Sequence, residues 1–503
     1  MTTIIPVLRT AFDQHGATCK VIDDTGSWNL HELDAAAAGL AHALVEGGVQ
    51  PGDRVAISGP NSRWCAAGYL AIWQAGAVPV ALNHRLRGPA IRHILNDARP
   101  RSAVVEASLL PVFRTANDEA GGPVTKWFTI GQATADDDAT EVSGLPAAEP
   151  MTPAGGPHDL AALLYTSGTT GRSKGVMLSH ANLLWAQDAF QRNNHITAGE
   201  RMLLGLPLFH CYGLIPLFLG SLVTGVDQVL QNGFPFPRTL EVLSEHKISF
   251  FPSVPPVFQA IAALPWDPAR YDFSALRLVV SGAATIAEET IKRARACLGE
   301  PTFVDAYGIT ETSTLISVGP LDAVIPVGAA GRPVVDVDVE IRDADGQALP
   351  AGQKGEICVR SPGVMQGYYN RPDATEEVLI DSWYRTGDVG HLDANGFLFI
   401  SDRIKDMIIV SGENVYPREV EAAILEHPDV ARVAVVRMAT TDTGEAPRAF
   451  VVAREGAELR VPDMVRFLRQ RIADFKLPRK YEFVDSLPTS PSGKVLKREL
   501  QEQ

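Results

Sequence analysis

Five short stretches of this 503-residue chain combine residue types that can do chemistry. The first is YTSGTTGRSKG, Tyr165 to Gly175, with three glycines, five serines and threonines, and two cations. Successive backbone N–H groups form an anion-binding nest there. Thr166, Ser167, Thr169 and Thr170 add hydroxyls around Gly168, and Lys174 adds a mobile charge. That donor set suits the β- and γ-phosphates of a nucleotide. A Walker loop is excluded, because Ser173 stands where its second glycine belongs and Gly175 follows Lys174. Gly171-Arg172-Ser173-Lys174-Gly175 does match a hydrolase nucleophile elbow, which requires a helix directly after its serine. Here VMLS reads as a short strand, and Ser179 reads as the N-cap of HANLLWAQDAF.

The second stretch is DAYGITET, Asp305 to Thr312, directly after the strand-like TFV. It therefore lies at the carboxyl edge of a sheet, where open α/β folds bind ligands. Tyr307 offers a flat face to a base, Thr310 a hydroxyl, and Glu311 a hard carboxylate for Mg²⁺. In WYRTGD, Asp388 can accept from two ribose hydroxyls, although an aspartate after glycine is also a common turn residue. SDRIKDMIIVSGENVYPREVE is a charged joint, and PTSPSGKVLKREL carries Lys494 after Pro-Ser-Gly in a loop that can move.

The elements that must position these residues follow from periodicity. LHELDAAAAGLAHALVEGG reads as a helix stopped by Gly47-Gly48, DRVAISG as a strand, WCAAGYLAIWQAGA as a helix and AVPVAL as a strand. LAALLYT is the strand feeding the glycine-rich loop. ISFFPSV, PPVFQAIAAL, LRLVVSG, EETIKRARACL and TFVDAYG repeat the alternation. Such alternation builds parallel sheets covered by helices. Residues 133–159 are rich in Ala, Pro and Asp and read as a surface linker. Beyond Gly331, VVDVDVEIRDADGQ, GEICVRS and GHLDANGFLFISD alternate at period two, which predicts a mostly antiparallel, barrel-like part. A small α+β unit is expected from Arg403 to Gln503.

Bulk composition narrows the function. Hydrophobic residues make up 46% and charged residues 21%, an ordinary globular mixture. The net charge of −14 argues against a nucleic-acid partner. The charge is uneven: from Arg403 onward 17 Lys and Arg nearly balance 16 Asp and Glu. Cys19, Cys65, Cys211, Cys297 and Cys358 lie far apart, which predicts a reduced, cytoplasmic setting without a structural metal. The start, MTTIIPVLRT, shows no secretion-type leader. Leu203 to Val226 has His210 as its one charge-bearing candidate, but its prolines and glycines favour a buried, pocket-lining helix over a membrane span.

In this order, YTSGTTGRSKG, LPLFHCYG, YGITE, WYRTGD, DRIKDMIIVSGENVYPREVE and the final GK carry a family likeness. From Tyr165 to Lys494 the sequence resembles the adenylate-forming superfamily of acyl- and aryl-CoA synthetases, peptide-synthetase adenylation domains and luciferases. Within it, the chain is most similar to acyl-CoA synthetases of the fatty-acid–CoA ligase type. One position departs from the pattern, since Ser173 stands where the family usually has proline before the loop lysine.

The resemblance implies an α/β multidomain fold. A large N-terminal domain, residues 1–402, would hold two helix-covered sheets and the barrel-like part, and residues 403–503 would form a mobile α+β domain. It implies acyl-AMP formation from a carboxylic acid and MgATP, then transfer of the acyl group to coenzyme A. Residues Thr166, Ser167, Gly168, Thr169, Thr170 and Lys174 would hold the departing pyrophosphate. Gly282, Ala283 and Ala284, with Asp305, Ala306 and Tyr307, would surround adenine. Thr310 would touch the α-phosphate, Glu311 would hold Mg²⁺, and Asp388 and Arg403 would grip the ribose. Lys494 would bridge the acyl carboxylate and the α-phosphate, with His210 beside that carboxylate. Lys405 would be the hinge that exchanges Lys494 for the CoA-facing Ser411, Gly412 and Glu413.

LPLFHCYGLIPLFLGSL is apolar and lacks a cation, so a dicarboxylate is disfavoured and a fatty acid favoured, with an aromatic acid as the alternative. A carrier-protein thiol is the alternative acceptor. A non-catalytic adenylate-binding sensor is disfavoured by the retained Lys494, Glu311 and Asp388. The oligomeric state, monomer or dimer, is left open.

Overall fold

The computed structural model describes residues 2–132, 138–166, 173–263, 266–282, 286, 288–410, 413–440, 444–489 and 495–503. The chain divides into two compact units, Met1–Asp338 with Val359–Tyr384, and Val339–Cys358 with Arg385–Gln503.

The first unit holds two large sheets, both mainly parallel. In the eight-stranded sheet, Leu160–Thr166, Val78–Ala81, Arg54–Ser58, Ser102–Glu106 and Lys126–Ile130 run parallel. Lys174–Ser179 and Gly367–Tyr368 close one edge antiparallel. In the nine-stranded sheet, Thr302–Tyr307, Leu278–Gly282, Phe250–Ser253, Arg201–Leu204, Asp227–Leu230 and Lys20–Asp23 run parallel. Alternating strand and helix signals therefore fold as expected from the sequence, because each crossover helix returns the chain to the same strand direction.

Local chemistry sets the helix ends. Leu30–Glu46 starts at a capping box in which Asn29 accepts from the Glu32 N–H while the Glu32 side chain accepts from the Asn29 N–H. Ser179 caps His180–Asn193 in the same manner with Asn182. The strand Lys174–Ser179 precedes that helix, so Ser173 does not enter a helix and the nucleophile elbow fails. The apolar stretch after His210 is a buried π-helical segment, Gly213–Leu219, that continues as the α-helix Gly220–Thr224. Pro216 sits inside it, and Gln191 Nε2 donates to the Pro216 carbonyl at 2.7 Å. Among the described residues, no helix is long and apolar enough to cross a membrane. The linker region is not wholly irregular, for Thr140–Glu141 adds a short strand to the eight-stranded sheet.

The second unit contains most of a five-stranded sheet, where Trp383–Leu392 pairs antiparallel with Leu398–Arg403. A separate sheet orders Glu413–Val415, Ile408–Val410, Gly444–Ala453 and Val430–Thr440, with Lys480–Phe483 parallel to Gly444–Ala453. The helix Pro417–Leu425 packs its Val420 and Ile424 into a core with Val435, Val451 and Met464.

Candidate active site

Antiparallel pairing of Leu160–Thr166 with Lys174–Ser179 sets Thr166 directly opposite Lys174. The predicted phosphate donors Ser167, Gly168, Thr169 and Thr170 lie outside the described residues. Lys174 Nζ stands 4.7 Å from the centre of the Tyr368 ring.

Parallel pairing of Leu278–Gly282 with Thr302–Tyr307 aligns Ser281 with Asp305 and Gly282 with Ala306. Three of the residues expected around adenine thus share one sheet edge, and Tyr307 ends the same strand. Ala283 and Ala284 lie outside the described residues. The Tyr212 ring packs within 3.0 Å of where a Gly282 Cβ would stand. Asp305 is half-buried, and loss of water raises its carboxyl to about 7. Ser281 lies beside it, but Oδ1 of Asp305 makes no hydrogen bond among the described residues. A neutral carboxylic acid at this edge can donate as well as accept.

After Tyr307 the chain turns sharply. Thr310–Thr312 form one 3₁₀ turn, and Ser313 and Thr314 follow with φ of 52° and 84°. Left-handed backbone at two non-glycine residues in a row costs about 1–3 kcal/mol each and tends to gather at functional sites. The fold-back explains Gly308: a Cβ there would lie 1.6 Å from the Thr314 carbonyl oxygen. The turn is fastened from outside. The Met365 N–H donates to the Glu311 carbonyl at 2.8 Å, and Ser313 Oγ donates to the Gly363 carbonyl at 2.7 Å. The Tyr368 hydroxyl donates to Glu311 Oε1 at 2.9 Å.

His210 does not fill the core. Its ring is exposed although protein crowds it, as expected for a ring lining a recess. Its Nδ1 accepts from the Tyr212 N–H at 3.4 Å, which leaves the proton of the neutral ring on Nε2. Cys211 is buried, with Sγ 3.3 Å from Thr310 Oγ1 and 3.8 Å from His210 Nδ1. Burial alone would raise this thiol, but the neighbouring His210 charge and the Thr310 hydroxyl outweigh it and lower its pKa. The Cys211 charge in turn raises His210. The sequence alone assigns no part in the site to Cys211, Tyr368 or Tyr384. The one signal for Cys211 was its place next to His210.

In the second unit, Asp388 and Arg403 face each other across the hairpin. Arg403 Nε lies 3.1 Å from Asp388 Oδ1. Asp402, buried beside them, accepts from the backbone N–H groups of Arg403 and Arg418 at 2.8 and 2.7 Å. Lys405 lies in the single 3₁₀ turn Ile404–Asp406, and Glu413 opens the next hairpin strand. Ser411, Gly412 and Lys494 lie outside the described residues. Among the described residues no group of three or more His, Cys, Asp or Glu side chains could hold a metal by itself. The five cysteines are free.

Residues 8–369 match the family model described as AMP-binding enzyme, and residues 419–494 match the AMP-binding enzyme C-terminal domain. A feruloyl-CoA synthase of an Amycolatopsis species is 37% identical over 484 residues, covering 93% of this chain and 92% of that protein. The fatty acid–[acyl-carrier-protein] ligase ScoC of Streptomyces coeruleorubidus is 36% identical over 472 residues, covering 92% and 89%. The ATP-bound structure of MatB from Rhodopseudomonas palustris superposes with a TM-score of 0.91 at 30% identity, covering 100% of this chain and 99% of that one.

Proposed function

The chain belongs to the AMP-binding enzyme family and is an AMP-forming acid–thiol ligase, and on that premise we propose that its acid is apolar, fatty in preference to aromatic. ATP is its co-substrate, and CoA is the favoured acceptor, with a carrier-protein thiol as the alternative. The observation that carries the proposal is the run from Leu203 to Val226. It holds no Asp, Glu, Lys or Arg, and its segment Gly213–Leu219 is entirely buried. A second carboxylate on the acid would find no cation there.

The chemistry solves a leaving-group problem. A thiol cannot usefully displace oxide from a carboxylate. The carboxylate oxygen first bonds to the α-phosphorus of ATP, and the bond to the pyrophosphate oxygen breaks. The CoA sulfur then bonds to the acyl carbon, and AMP leaves with the former carboxylate oxygen. Both steps gain from fixed donors at phosphate oxygens and from reactants held in line.

On this reading Thr166 and Lys174, with residues 167–170, hold the β- and γ-phosphates. Thr310 meets the α-phosphate, and Lys494 bridges it to the acyl carboxylate. His210 presents Nε2–H toward that carboxylate. Gly282, Asp305, Ala306 and Tyr307 flank adenine, and Asp388 and Arg403 hold the ribose. Mg²⁺ entering with ATP would neutralise phosphate charge. A single carboxylate, Glu311, fits a cation that takes its other ligands from phosphates and water. Residues 403–503 act as the mobile part about Lys405, exchanging Lys494 for the face that bears Ser411, Gly412 and Glu413.

The test is pyrophosphate release over a panel of straight-chain, phenylpropenoic and dicarboxylic acids, each with CoA and with a phosphopantetheinylated carrier protein. The expected ranking in kcat/KM is straight-chain above phenylpropenoic, with dicarboxylates inactive and CoA the better acceptor. A phenylpropenoic acid outranking every fatty acid would overturn the substrate reading. An aromatic acid stays as the second reading on one observation, the 37% identity to a feruloyl-CoA synthase.

A further inference from the structure

We infer that Tyr368 is the positioning residue for Glu311, its hydroxyl fixing one carboxylate oxygen so that Glu311 meets a nucleotide-bound divalent cation in one orientation. This rests on the reading of Glu311 as the metal carboxylate.

Tyr368 has little freedom of its own. It belongs to the two-residue strand Gly367–Tyr368 at the edge of the eight-stranded sheet, with Tyr368 opposite Val176. On either side, the Gln366 N–H donates to the Met177 carbonyl at 2.9 Å and the Tyr369 N–H to the Gly175 carbonyl at 2.7 Å. The Tyr368 N–H donates to Thr375 Oγ1 at 2.9 Å. Gly367 has φ 141°, and a Cβ there would lie 2.8 Å from the Thr375 methyl, so the bend into Tyr368 needs glycine. The backbone that locates Tyr368 is thus the backbone directly behind Lys174.

The ring then spans two parts of the site. One face lies 4.7 Å from Lys174 Nζ, and the hydroxyl reaches Glu311 Oε1 at 2.9 Å. The buried Tyr384 hydroxyl donates to the Tyr368 oxygen, which turns the Tyr368 proton toward the carboxylate. Glu311 is gripped at both ends, since its carbonyl also accepts from the Met365 N–H at 2.8 Å. A glutamate side chain otherwise has several rotamers to lose on binding a cation. Fixing one oxygen favours single-oxygen coordination, which suits octahedral Mg²⁺ better than the bidentate contact common with Ca²⁺. The plainer alternative is a core tyrosine that has merely found a partner for its hydroxyl, and it predicts a loss of stability with no bearing on the metal.

Calorimetric titration without acid or CoA separates the two. ATP is titrated into wild type, Tyr368→Phe, Glu311→Gln and the double variant, once with Mg²⁺ and once in EDTA. Phe keeps the ring over Lys174 and removes only the hydroxyl. The expected result for Tyr368→Phe is a roughly tenfold loss of affinity with Mg²⁺, the size of one hydrogen bond to a charged group, and no change in EDTA. Glu311→Gln loses at least as much, and the double variant loses no more than Glu311→Gln. Tyr384→Phe, which leaves Tyr368 intact, shows a smaller loss in the same direction and carries the test should Tyr368→Phe fold poorly. Equal effects with and without Mg²⁺ overturn the inference. Unchanged Mg²⁺ affinity in Tyr368→Phe, beside a loss in Glu311→Gln, overturns it alone. An unchanged titration in Glu311→Gln removes the metal role of Glu311 and the inference with it.

Discussion

Arg403 Nε lies 3.1 Å from Asp388 Oδ1, so two residues read separately as ribose ligands are also each other's partner. The hairpin register sets them opposite, and the Asp388 side chain is 6% exposed against 30% for Arg403. Asp388→Ala therefore removes a ribose acceptor and leaves Arg403 without this partner. Loss of one member of a well-buried pair costs about 3–5 kcal/mol, and the partial exposure of Arg403 places this case at about 2–3 kcal/mol. Urea denaturation should show that loss. ATP affinity should fall about tenfold or more, with the ranking of acids unchanged. A changed acid ranking would count against the ribose role.

Lys494→Ala should act on one half-reaction. The proposed contact exists while the α-phosphate is under attack and is absent afterwards. Removing one such charge contact costs about 3 kcal/mol or more of transition-state stabilisation. Acyl-AMP formation should fall on the order of a hundredfold, and CoA transfer from supplied acyl-AMP should persist. Equal loss in both half-reactions of a folded variant would contradict the assigned role.

Lys405→Pro tests the hinge. Lys405 is the middle residue of the turn Ile404–Asp406, and proline there fixes its φ and restricts Ile404 as well. Proline should therefore resist a large rotation. In a quenched single turnover with labelled acid, acyl-AMP should form at close to the normal rate while thioester formation drops by orders of magnitude. Equal loss of both products at an unchanged melting temperature would remove the hinge from Lys405.

Asp305 supplies a pH dependence. Burial holds its carboxyl at about 7, against about 4 in an unfolded chain. Between those values the folded chain keeps a proton that the unfolded chain has released. The stability linked to this group is full below about pH 4 and is lost as pH rises through 7. Asp305→Asn should remove that slope. Its melting temperature relative to wild type should rise from pH 5 to pH 8 by about 3 °C or more. Parallel curves for the two proteins would show that Asp305 ionises normally.

Local order was legible wherever one periodicity dominated. LAALLYT and TFVDAY are the strands Leu160–Thr166 and Thr302–Tyr307, and Ser179 is an N-cap as its sequence context suggests. VVDVDVEIRDADGQ promised a longer strand than Asp338–Arg342, because its first residues turn at Asp336 with φ 63°. The hydroxyl and carboxylate types in DAYGITET were readable, but their fastening was not. Tyr368 is 57 residues from Glu311 in sequence, and nothing local in GYYN indicates which carboxylate its hydroxyl meets. The Asp388–Arg403 pair escaped for a related reason: each residue had been given a ligand, and the hairpin register that pairs them is a property of two strands together. The contact of Cys211 with Thr310 spans 99 residues and has no periodic signature.

The nine-stranded sheet also sets a schedule for synthesis. Lys20–Asp23 sits between Gly26–Asn29 and Asp227–Leu230, with Val21 beside Gln228. A ribosome adding about 5–20 residues per second delivers that neighbour on the order of 10–40 seconds after Val21. Until then the early hairpin has one unsatisfied edge and an apolar face, and the eight-stranded sheet, whose parallel strands end at Leu160–Thr166, is the first that can assemble. The nascent chain is most exposed to mispairing in that interval. Substitutions that blunt this waiting edge against wrong partners should raise the yield of folded enzyme without altering a single catalytic constant.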